Sequence, residues 1–103
     1  MVEITITLSG PDLASRKTAA IERHKLISQT ASGSHLVVDL SQVISVSYSY
    51  ADELFGVLVA VQGWEWFMKN VKLRGANEHV LRVTAEAINR RLKESGRPVK
   101  LSA

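Results

Sequence analysis

Cysteine is absent from all 103 residues, which excludes disulfide staples, thiolate zinc sites and cysteine nucleophiles together. A reducing compartment suits such a chain. Long apolar runs are missing too. The longest, residues 57–61, falls far short of the roughly 20 that a membrane span needs. The opening MVEITITL has neither the basic start nor the small-residue cleavage site of a secretory signal. The expectation is a cytoplasmic protein with no membrane attachment. Neither the nucleophile-elbow pattern Gly-x-Ser-x-Gly nor the phosphate-binding pattern Gly-x-Gly-x-x-Gly occurs, and His24, His35 and His79 show no ligand spacing such as His-x3-His. These gaps argue against an enzyme, a metal site and a cofactor.

What is present is an ordinary globular composition, 46% apolar and 22% charged, which suits a folded chain rather than a disordered one. The length serves one hydrophobic core and no more, so a single domain over residues 1–103 is expected. The net charge of +3 is a small excess. Much of it gathers near the end, where Arg90, Arg91, Lys93, Arg97 and Lys100 have Glu94 alone to offset them. Such a stripe could meet the phosphates of a nucleic acid, but it is more often the solvated side of a last helix and its tail.

Val2, Ile4, Ile6 and Leu8 alternate with Glu3, Thr5 and Thr7, the pattern of a strand with one buried face. Ser9-Gly10-Pro11-Asp12 breaks it and opens a helix over 13–30. That helix is untidy, because Arg16, Arg23 and His24 crowd the face that Leu13, Ala20 and Ile27 share. A basic residue so placed either snorkels or does something specific. After the loop Ala31-Ser32-Gly33-Ser34, residues 35–40 read as an apolar strand buried on both faces. A serine-rich connection over 41–49 leads to a helix over 50–67 that is apolar nearly all round and hence buried on more than one side. Within it, Gly56 is expected to allow close packing on the sheet, and at least two of Trp64, Trp66 and Phe67 to enter the core. Residues 71–74 form a short strand closed by Gly75. Residues 78–94 are a cleaner helix with Val80, Leu81, Thr84, Ala87, Ile88 and Leu92 on one face. Gly96 ends it, and Pro98-Val99-Lys100-Leu101 is an edge strand or a tail. This alternation predicts an α/β fold, a mainly parallel sheet of four or five strands packed with about three helices. Function in such sheets gathers where strands end and helices begin.

At the second strand and its following helix the residues become specific. The stretch VVDLSQVISVSYSYADELFGVL resembles the core of a STAS domain, the fold of bacterial anti-sigma-factor antagonists. In those proteins a strand ending in Asp-Leu-Ser leads through a short loop to a regulatory serine and a helix. The chain is more closely similar to a STAS-like family of unassigned function. The similarity lies in Leu13-Ala14-Ser15-Arg16, the strand with Asp39, Ser49-Tyr50-Ala51-Asp52-Glu53, and Asn77 before the last helix. It extends over almost the whole chain. It implies a STAS-like fold, a bacterial source and a non-enzymatic regulatory module that binds a kinase-like ATPase or another signalling protein through the start of the central helix. Arg16, Ser47, Ser49, Tyr50, Asp52 and Glu53 would form or brace that surface, with Asp39, Ser15 and Asn77 as structural polar residues. The antagonists carry Asp-Ser-Ser-Gly at this helix start, where a serine is phosphorylated. Here Ser49 is the nearest positional match and Ser47 the second, and the neighbouring Asp and Gly are absent. Asp52 and Glu53 place permanent negative charge in the first turn instead, where the helix dipole favours it. On one reading a fixed charge stands in for a switchable one.

The two carboxylates can be read as an acid–base pair, as charge complementing a helix start, or as partners of Arg16. Adjacent helical residues point about 100° apart, which disfavours joint catalysis, so the Arg16 pairing is preferred. Asp39 is expected to tie down loop amides. It could instead join Arg16 and Asp52 in a polar cluster, and three carboxylates at one edge could hold magnesium, although nothing in the spacing demands it. Two other functions stay open: a small-ligand or nucleotide sensor at the same junction with Arg16 as its anion contact, and, with least support, nucleic-acid binding by the basic last helix. An all-round apolar helix and a bare sheet edge also leave a homodimer open.

Overall fold

In chain order the elements are β1 (Glu3–Thr7), β2 (Asp12–Leu13), α1 (Arg16–Thr30), β3 (His35–Asp39), β4 (Ser45–Val46), α2 (Tyr48–Ala51), a π-helical turn (Asp52–Gly56), α3 (Val57–Gln62), α4 (Trp64–Asn70), β5 (Val71–Arg74) and α5 (Glu78–Glu94). They belong to a computed structural model that describes residues 2–31 and 33–94. Gly96, the expected strand or tail at 98–101, and the basic residues Arg97 and Lys100 lie outside the described residues. The architecture is α/β with a parallel sheet, as the alternation predicts. Among the described residues the sheet has three strands, where four or five are expected for the whole chain, in the order β1-β3-β5. Four helices rather than three pack with it among the described residues, because the central helical stretch is divided. No helix among the described residues is long and apolar enough to cross a membrane.

Register explains the sheet's two unlike faces. Ile4 lies beside Leu36 and Val71, and Ile6 beside Val38 and Leu73. These six pack into the core. The intervening positions align Thr5, Val37 and Lys72, then Thr7, Asp39 and Arg74, and Thr5, Thr7, Lys72 and Arg74 are exposed. So β3 is not a strand sandwiched between two apolar layers. Val37 is only 5% exposed, yet it sits on the polar face, flanked in register by Thr5 and Lys72.

The remaining two strands form their own parallel pair, β2 with β4. This pairing delays α1 until Arg16. The Pro11 carbonyl accepts the Ile44 and Ser45 amides at 2.8 and 2.9 Å, and the Leu13 carbonyl accepts the Ser47 amide at 2.8 Å. Tertiary partners therefore outweigh the local preference of residues 13–15 for helix.

The central helix begins at Tyr48 and runs without interruption over 48–62. Leu54, Phe55, Leu58 and Val59 are buried, and the π-turn packs against both α1 and α5. The burial is not all-round, since Val61 is 68% exposed. Nor does the helix reach residue 67. Gly63 adopts a φ of 98°, which a side-chain-bearing residue rarely takes, and α4 starts afresh after it. Of the three aromatics there, Phe67 alone is buried. It meets Phe55 edge-on at 6.3 Å and stacks on Trp64 at 5.9 Å, while Trp64 and Trp66 are half-buried. On α5, Val80, Thr84, Ala87, Ile88 and Leu92 are buried and Leu81 is left exposed.

Candidate functional site

The β2–β4 pairing brings the starts of two helices together. Ser15 caps α1, its hydroxyl accepting the Thr18 amide at 3.3 Å. Ser47 caps the central helix, its hydroxyl accepting the Tyr50 amide at 3.0 Å and donating to the Ala14 carbonyl at 2.9 Å. One side chain thus satisfies an orphan helix-terminal donor and stitches the two helix starts together. Ser47→Ala should cost about 1 kcal/mol, the usual worth of such a cap, read as a lower urea midpoint at unchanged m-value.

Arg16, the first residue of α1, reaches the first turn after Ala51. Its Nη1 donates to Asp52 Oδ2 at 3.0 Å and to Glu53 Oε1 at 3.2 Å. Adjacent carboxylates thereby converge on one nitrogen. The helix is widened at this point, where the Val57 amide bonds back to the Asp52 carbonyl. Arg91 of α5 then clasps Asp52 with both arms, Nε to Oδ1 at 2.8 Å and Nη2 to Oδ2 at 2.7 Å. Arg23, two turns further along the same face of α1 as Arg16, donates to Glu53 Oε2 at 2.6 Å and also to the Glu53 carbonyl. Two carboxylates and three arginines from α1, the central helix and α5 form one network.

Its electrostatics are those of fixed charge. Hydrogen bonds from Arg91, then from Arg16, hold the Asp52 carboxyl below its ordinary range against the opposing effect of burial. Arg23, and after it Arg16, does the same for Glu53. Asp52 in turn raises Arg16 and Arg91. Both carboxylates are therefore ionised at neutral pH.

The other expected residues fall in different places. Tyr50 is 2% exposed, and burial pushes its phenol up to about 12. It is a core residue and cannot present itself to a partner. Its spacing of four from Leu54 and eight from Leu58 puts it on their buried stripe. Asp52 is also buried, so it braces the edge from beneath. Ser49 is half-buried in α2 and, among the described residues, its side chain makes no hydrogen bond. Asn77 caps α5, accepting the Val80 amide at 2.8 Å and donating to the Ile44 carbonyl at 2.9 Å. Asp39 accepts the Ser41 amide at 2.9 Å, a bond that with Arg74 lowers its pKa. It therefore serves the loop after β3 and does not join Arg16 and Asp52. Among the described residues no group of three His, Asp or Glu side chains could hold a metal ion.

Two members of the network are not evident from sequence as site residues. Arg91 reads there as part of a basic stripe, although it follows Thr84 and Ala87 by seven and four residues, in line with the buried face of α5. Arg23 crowds the core-facing stripe of α1, which is the visible sign of its inward role. Gly56 differs from expectation as well. A Cβ on it would lie 2.7 Å from Asp52 Oδ1, 3.1 Å from Arg91 Cγ and 3.4 Å from the Ala87 carbonyl. It makes room for the ion network and for α5, not for the sheet.

Beside the network Arg16, Tyr48, Asp52, Arg90, Arg91 and Glu94 line a polar cavity of about 250 Å³. The Arg90 guanidinium carbon lies 5.9 Å from the Tyr48 ring centroid, within the range of a cation–π contact. The Tyr48 hydroxyl is buried, its interaction with Arg90 raises the pKa of that guanidinium, and no acceptor for its proton lies among the described residues. Comparison with protein-family models, with curated proteins and with solved structures gives no match to this chain.

Proposed function

We propose that the chain is a non-catalytic, STAS-like regulatory module of the cytoplasm that binds a protein partner through the edge where α1 and the central helix begin. The observation that carries this reading is the Arg16–Asp52–Arg91 network. It draws three helices into one fixed charged edge, and it leaves the Arg16 side chain 46% exposed there. Groups already ionised and positioned lose little freedom when a partner docks, and complementary charge sets which partner is accepted. Resemblance to STAS domains supplies the kind of partner, a kinase-like ATPase or another signalling protein. Ser49 is the serine such a partner would modify, since the Ser47 hydroxyl is already committed to the cap.

The test is capture by the immobilised domain with and without ATP, followed by affinity measurement on the purified partner. Arg16→Ala should weaken binding at least tenfold while the melting temperature changes little, because a half-exposed ion pair contributes only about 0–1 kcal/mol to stability. Equal affinity for wild type and variant would remove this edge from the proposal. A phosphopeptide at Ser49 appearing only with ATP would mark the edge as switchable.

A further inference from the structure

We infer that the polar cavity between α1, the central helix and α5 is a binding site for a doubly charged phosphoryl group. The inference deepens the proposed function by naming the chemistry its edge recognises. Three arginines and two carboxylates line or reach the cavity. Asp52 is buried, and both its oxygens are occupied by Arg16 and Arg91, so it acts as an internal anchor. It holds the two guanidiniums in place and leaves Arg16 Nη2 and Arg91 Nη1 outside the network. Arg90 comes from the next position on α5, and the carboxylate it touches, Glu94, is itself more than half exposed and one turn away. Once Asp52 is spent on its two arginines, a positive charge is left over at the cavity mouth. A guanidinium fork suits the oxygens of a phosphoryl group better than a point cation does.

Tyr48 gives an independent reason. It lines the cavity, and its buried hydroxyl, which Arg90 approaches as a donor, has no acceptor for its own proton among the described residues. Buried hydroxyls are nearly always hydrogen-bonded, and a tetrahedral oxyanion offers the acceptor that neighbouring guanidiniums, which only donate, cannot provide.

The phosphoryl group has two sources, a free phosphate compound or a phosphorylated side chain of the partner. Inorganic phosphate, titrated at constant ionic strength against amide chemical shifts of the ¹⁵N-labelled domain, tests the site without any partner. We expect saturable shifts centred on Arg16, Tyr48 and Arg90. Arg90→Ala should weaken binding at least tenfold, and Tyr48→Phe severalfold. Lys93→Ala, which removes a nearby charge that does not line the cavity, should change it less than twofold. Tighter binding of a phosphoserine peptide than of phosphate would identify a partner side chain as the source, and tighter binding of a nucleoside monophosphate a free compound. Shifts that never saturate, or an equal loss in Arg90→Ala and Lys93→Ala, would overturn the site. Partner capture that survives such a result would leave the protein-binding edge standing without it.

Discussion

Asp52→Ala lowers the stability of this domain by about 2–3 kcal/mol, the largest loss expected from any single charged residue in it. Three charge-assisted hydrogen bonds end on this carboxylate, and its removal leaves two arginines facing each other without their common counter-ion. The loss falls short of the 3–5 kcal/mol typical of a fully buried pair, because Arg16 and Arg91 keep enough exposure to regain water. In a chain of this length it corresponds to a fall in Tm of roughly 10–20 °C. Acid provides the check. The folded-state pKa of Asp52 is depressed below its ordinary 3.8. The stability it contributes is therefore complete above the unfolded-state value and is lost as pH falls through the folded one. Urea unfolding should separate wild type and variant widely at neutral pH and bring them together below the carboxylate range. A gap that stays constant into acid would mean that the alanine acts through lost packing and not through lost charge.

Gly56→Ala is the second large effect, and its sign is unusual. In an ordinary helix interior this change stabilises by about 1 kcal/mol. Here we expect a loss of about 2 kcal/mol, because the new methyl would stand 2.7 Å from Asp52 Oδ1, with Arg91 Cγ and the Ala87 carbonyl close behind it. The carboxylate cannot swing aside without releasing Arg91, and α5 cannot retreat without opening the core around Ala87 and Ile88. A double-mutant cycle isolates this cause. In the Asp52→Ala background the methyl has room, and the same substitution should become neutral or stabilising, a coupling of more than 1 kcal/mol. Gly56→Ala that stabilises the otherwise wild-type chain would show that the network yields more readily than its geometry implies.

Both effects centre on residues whose roles are unevenly visible in the sequence. Period-two alternation in β1 and the clean stripe of α5 identify those elements because a single buried face governs each. The pairing of Arg16 with Asp52 and Glu53 is legible because chain topology brings strand–helix junctions to one edge. The β2–β4 pair is not legible. Two residues per strand carry no period, and what holds them is the carbonyls of Pro11 and Leu13 facing a segment more than thirty residues away. The early start of the central helix depends on that same pair, and misjudging it makes Tyr50 look like a surface residue. Arg23 and Arg91 are hidden for another reason. A charged residue on a buried stripe declares only that it needs a partner, and the partner lies on a different helix.

The span of the network along the chain has a kinetic meaning. Arg16 and Asp52 are 36 residues apart, and Asp52 and Arg91 are 39 apart. Each bond closes a loop of that length and needs both of its helices docked, so we expect it to be little formed in the folding transition state. Interactions made that late slow unfolding more than they speed folding. The arginines therefore act as a latch on the finished domain. They lengthen the life of the native state, during which the edge they shape can be read by a partner, and have little part in guiding the chain to it.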